Sequence, residues 1–101
     1  MTKTPSRPPL PPERIDQVWE KGAPIPGKDP GLYRRDLYGS EIFKPSFGKQ
    51  GPKSWEVDHT KPLAKGGSEN LRNLQPVQTA TNREKGDTYP FRPKTSPSRG
   101  R

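Results

Sequence analysis

The stretch Trp55-Glu56-Val57-Asp58-His59 alternates apolar and polar side chains, the pattern of a half-buried β-strand. Gly51-Pro52 just upstream reads as a turn. Downstream, a loop carrying Pro62 and Gly66-Gly67 leads to Leu71–Val77, a second short strand. Gln78–Lys85 then reads as a helix closed by Gly86. Strand, loop, strand and helix in about 35 residues predict a small α+β unit, with two antiparallel strands and one flanking helix.

Upstream, Ile15, Val18 and Trp19 fall at i, i+3 and i+4, one face of a helix expected over 13–21. Pro12 suits its first turn and Gly22 its stop. The helix has an apolar face to bury, so it belongs to the same domain. Residues 22–40 are punctuated by proline and glycine and read as turns and irregular chain. Within them Leu32–Tyr38 sets two tyrosines beside Arg34 and Arg35; packing is the expected role of the tyrosines, and the arginines are left open. Ile42-Phe43-Lys44 is a short strand cut off by Pro45. The proline-rich residues 1–12 and the basic stretch 89–101 have little to bury and are expected to be disordered tails. The folded unit is thus expected over 13–88, with its strand–strand–helix core at about 54–87.

Composition bounds the rest. The chain has 101 residues, 24% hydrophobic and 30% charged, with no cysteine. That excludes a disulfide framework and any cysteine-ligated zinc. A net charge of +8 suits a polyanionic partner such as nucleic acid, although basic tails can also serve solubility alone. No run of 18 apolar residues exists and the N-terminus lacks a signal-peptide hydrophobic region, so a soluble intracellular protein with no membrane partner is expected.

The chain has one histidine. Alone, it would more often be structural than catalytic. Its company decides otherwise: Asp58-His59, Pro62, Gly66-Gly67, Asn73-Leu74, Asn82-Arg83 and Lys85-Gly86 stand at fixed offsets. This skeleton resembles the HNH endonucleases, a family with a ββα-metal fold, over roughly residues 13–88. The helix with Val18-Trp19, the Asp29-Pro30 ahead of an aromatic and basic pair, and Leu74-Gln75-Pro76 look like a small bacterial or phage branch, which implies a cytoplasmic setting.

The resemblance implies roles that physical chemistry makes sensible. An imidazole, with an ordinary pKa of about 6.5, is neutral at pH 7 and can take a proton from the attacking water, a contribution of about 10²–10⁴-fold. That role falls to His59. Asp58 supplies an anionic oxygen and Asn82 an amide oxygen to one divalent cation, which acts as Lewis acid and stabilises the leaving group. Asn73 corresponds to the family's central Asn and is assigned an orienting role. Among the motif's cations, Arg83 and Lys85 are expected to contact phosphate; Lys61, Lys65 and Arg72 are further candidates, with solvated surface charge the even alternative for Lys65 and Arg72.

Two departures shape the expectation. Many HNH proteins carry histidine where this chain has Asn82, and an oxygen-rich site favours Mg²⁺ or Mn²⁺ over Zn²⁺ or Ni²⁺. Many also hold a structural zinc through two CxxC pairs, the second aligning with Gln78 and Thr81, so no structural zinc is expected. The N-terminal helix with Trp19 and Trp55 is expected to clamp the domain instead. The resulting expectation is a metal-dependent endonuclease acting on DNA. The alternative is a non-catalytic DNA-binding or accessory component of phage or restriction machinery; DNA against RNA, strand preference, dimerisation and recruitment stay open.

Overall fold

A computed structural model describes residues 10–86 and 88–92. The elements run α1 (Pro12–Trp19), β1 (Ala23–Pro24), β2 (Tyr33–Arg35), β3 (Glu41–Phe43), β4 (Trp55–His59), β5 (Leu74–Gln78) and α2 (Thr79–Lys85). β1, β2 and β3 form one antiparallel sheet, and β4 and β5 a separate antiparallel ribbon. The α+β expectation and its strand–strand–helix core are borne out. The expected tails at 1–12 and 89–101 lie largely outside the described residues.

Several boundaries move, each for a local reason. α1 ends at Trp19 rather than 21, because Lys21 and Gly22 donate back to the Val18 and Trp19 carbonyls at 3.0 Å, a tightened last turn. Residues 22–40 are not all irregular: Ala23 and Pro24 pair with Arg35 and Arg34, and Tyr33–Arg35 pairs with Glu41–Phe43. These strands are two and three residues long, too short to leave a periodicity. Leu71–Asn73 is a 3₁₀ turn rather than the start of β5, and Gln78 ends β5 while capping α2.

The core sits between α1 and the ribbon. Val18, Trp19, Ile42, Trp55 and Leu74 are buried together, with Ile15, Val57 and Leu71 packed around them. The two indole rings meet at 5.1 Å between centroids, and each N–H has a carbonyl: Trp19 donates to Pro30 and Trp55 to Lys44. Phe47 adds a third ring, 4.9 Å from Trp55.

A polar knot joins the small sheet's hairpin to the ribbon. Asp36 is buried; Oδ1 accepts from the Tyr38 and Ser40 amides and Oδ2 from the Gln78 amide at 2.8 Å. Gln78 in turn accepts from the Thr81 amide and hydroxyl and donates to the Pro52 carbonyl. At the two positions where the resemblance would put a cysteine pair, this chain makes a helix cap with hydrogen bonds reaching two loops.

Candidate functional site

Alternation along β4 sends Trp55 and Val57 toward the α1 core and Glu56 and Asp58 toward α2. The ribbon's register sets Asp58 opposite Gln75, and Gln75 Nε2 donates to Asp58 Oδ2 at 2.9 Å. On α2, Asn82 and Lys85 lie one turn apart and face the strand. Asn82 Nδ2 donates to Glu56 Oε1 at 2.7 Å, and Lys85 Nζ stands 3.3 Å from Asp58 Oδ1. The seam between β4 and α2 therefore holds Asp58, Asn82, Glu56, Gln75 and Lys85 together.

Lys85 is the main departure. Expected at a phosphate, its side chain is only 1% exposed, and its ammonium donates to Asp58 and, at 3.0 Å, to the His59 carbonyl. A buried ammonium needs such partners, because the cost of leaving water is otherwise uncompensated. In this structure Lys85 is an internal counter-ion, out of reach of a polyanion.

His59 ends β4, and its backbone carbonyl, which accepts from Lys85, borders the seam, while its ring turns to the loop. Its side chain is 14% exposed, and Nε2 lies 3.1 Å from Oε1 of Glu69. A carboxylate only accepts, so in the neutral ring Nε2 carries the proton and Nδ1 is the basic nitrogen.

The loop between the strands is held by Asn73. Its Oδ1 accepts from the Lys61 amide at 2.9 Å, while Nδ2 donates to the carbonyls of Lys61 and Ser68 at 3.1 and 2.7 Å. The Asn73 carbonyl accepts from the Thr60 amide at 2.8 Å, beside His59. The glycine pair permits this closeness. Gly66 adopts φ 92°, and a Cβ at Gly67 would collide with the Lys61 carbonyl oxygen. Asn73 thus braces the loop that carries Glu69, and it touches neither Asp58 nor Asn82 through these bonds.

Lys61, Lys65, Arg72 and Arg83 are exposed. Arg83 reaches toward Glu56 Oε2 at 3.9 Å while its side chain stays 59% exposed, leaving it open to solvent and polyanions. Motif spacing assigned no site role to Glu56, Glu69 or Gln75. Glu56 was legible by alternation, two residues before Asp58 on the same face; Gln75 and Glu69 needed the register and the loop's path.

The donor types suit a hard cation: the Asp58 carboxylate and the Asn82 side chain both lie along the seam, with a second carboxylate, Glu56, bonded to the Asn82 amide nitrogen. Asn82 Oδ1 accepts no hydrogen bond among the described residues. No three His, Cys, Asp or Glu side chains among them cluster closely enough to enclose a metal. The Lys85 ammonium, however, places a positive charge on the same Asp58 carboxylate.

A cleft of about 320 Å³ lined by Lys21, Arg35, Asp36, Leu37 and Gln75 shares Gln75 with the seam but includes neither Asp58, His59 nor Asn82. Burial there pushes the Asp36 carboxyl above its usual value, against the pull of its backbone N–H bonds. Burial likewise raises the Tyr38 phenol, whose hydrogen bond to Gln75 works the other way.

No helix among the described residues is long and apolar enough to cross a membrane. A family model described as HNH endonuclease matches residues 46–88, which spans β4, the braced loop, β5 and α2 and bears out the resemblance over those residues. No curated protein and no solved structure matches the chain.

Proposed function

We propose, from the premise that residues 46–88 form an HNH endonuclease domain, that this protein hydrolyses phosphodiester bonds in DNA. One observation supports this reading above the others: Asp58 and Asn82 line the β4–α2 seam, and the next residue along β4, His59, pairs its ring with the Glu69 carboxylate.

In this mechanism His59 is the general base. Glu69, hydrogen-bonded to Nε2, fixes the ring's orientation and favours the tautomer with a basic Nδ1, which takes the proton of the attacking water. Asn73 positions that pair by bracing the loop between them. Asp58 and Asn82 would hold one divalent ion, Mg²⁺ or Mn²⁺, with Gln75 orienting the Asp58 carboxylate. When bound, the ion polarises the phosphate and stabilises the leaving oxygen. Arg83, Lys61, Lys65 and Arg72 are exposed cations that attract and position the phosphate backbone without reading bases.

The test is supercoiled plasmid incubated with Mg²⁺ or Mn²⁺ and either the wild-type protein or His59→Ala. Nicking or linearisation by wild type alone is expected; cleavage that survives the substitution overturns the mechanism. One observation favours a second reading, a DNA-binding protein without turnover: Lys85 already neutralises Asp58. DNA binding by both proteins with cleavage by neither would select it.

A further inference from the structure

We propose that Lys85 competes with the divalent cation for Asp58, so that the metal binds only by displacing the ammonium from the seam. This inference rests on the metal-dependent reading above and adds a residue that sets its metal affinity.

The contacts define the competition. Lys85 is 2% exposed, and its Nζ meets Asp58 Oδ1 at 3.3 Å and the His59 carbonyl at 3.0 Å. The other carboxylate oxygen, Oδ2, is held by Gln75. Asp58 is itself buried at 7% exposure, so it has little access to water as an alternative partner. A divalent ion on this carboxylate would face an ammonium in contact with the same group, in surroundings that screen the repulsion poorly. Both cannot keep close contact with Asp58.

The chain also offers Lys85 a way out. It is the last residue of α2, followed by Gly86, and its neighbour Arg83 is already at the surface. A long, flexible stem at a helix end can move its ammonium to solvent without unwinding the helix. The displaced charge then joins the exposed Arg83, where a phosphate backbone approaches. Lys85 therefore keeps buried Asp58 neutralised while the metal is absent and lowers metal affinity by the same contact.

Two measurements on the full chain test this. Mn²⁺ is titrated calorimetrically into wild type, Lys85→Met and Asp58→Ala. In parallel, wild-type lysines are acetylated with and without saturating Mn²⁺ and quantified by mass spectrometry. Lys85→Met is expected to bind Mn²⁺ at least about tenfold more tightly than wild type, since a close like charge is removed. Asp58→Ala is expected not to bind. Acetylation of Lys85 is expected to rise several-fold with Mn²⁺ while Lys61 and Lys65 stay constant.

If Mn²⁺ binds in an Asp58-dependent way but Lys85 labelling does not change, or Lys85→Met binds no more tightly, the competition is overturned and the metal reading stands. If neither wild type nor Lys85→Met binds Mn²⁺, the metal reading fails and takes the inference with it. Should Lys85→Met fail to fold, the labelling of wild type decides alone.

Discussion

The β4–β5 ribbon has two faces that solve opposite problems. Toward α1 it presents Trp55, Val57 and Leu74, which bury apolar surface against Val18 and Trp19. Toward α2 it presents Glu56, Asp58 and Gln75, polar groups satisfied by Asn82, Lys85 and one another. The first face stabilises by removing apolar area from water. The second gains little net stability from burial, because desolvation of Asp58 and Lys85 offsets much of their attraction. A period-two strand can serve both only in one register, since a slip of one residue would exchange the faces. The stable face carries the fold so that the costly face can carry chemistry.

Removing a ring from the apolar face should do the most damage. Trp19→Ala is expected to destabilise by about 3–5 kcal/mol, enough to unfold much of so small a core, as measured by chemical denaturation. Unchanged stability would mean that the two tryptophans are not the clamp. On the polar face, Lys85→Met leaves a buried carboxylate without its counter-ion and should cost about 3–5 kcal/mol without metal. Replacing both partners, as Lys85→Met with Asp58→Leu, should recover most of that loss. A double variant no more stable than the single would show that the seam depends on charge rather than on its neutralisation.

A smaller effect is expected where the faces meet the loop. Asn73→Ala removes three side-chain hydrogen bonds and should cost about 1–3 kcal/mol in thermal unfolding while slowing cleavage through misplacement of His59. Normal cleavage by a destabilised variant would separate the brace from the chemistry.

The smallest is a pH effect away from both faces. The folded protein holds the Asp36 proton more tightly than the unfolded chain, whose ordinary value is 3.8. Its contribution is therefore fully present below that value and is lost as pH rises through the elevated folded one. The stability of wild type minus that of Asp36→Asn should fall with rising pH across the acid range, and urea titrations at stepped pH will show whether it rises instead.

The order of strand, loop, strand and helix was legible because each piece has its own local signal: alternation in β4, the Gly66-Gly67 pair, and the Gly86 stop. Of the β1–β2–β3 sheet only β3 was legible, as the strand expected at Ile42-Phe43-Lys44; β1 and β2 were not, since strands of two or three residues carry no period and are recruited by pairing. In the proposed site, Asp58, His59, Asn73 and Asn82 were singled out by the resemblance. Glu69 and Gln75 were not, because neither spacing nor alternation says which loop residue or cross-strand neighbour a side chain will meet.

Lys85 marks the boundary between the two kinds of knowledge. Its place one turn after Asn82 follows from the helix repeat, so sequence alone determined that both residues share a face of α2. Whether its ammonium would meet solvent, a phosphate or Asp58 depends on how closely α2 packs on the ribbon, and only the tertiary structure decided that. A long cationic side chain takes the nearest strong acceptor, and here burial had already placed one 3.3 Å away.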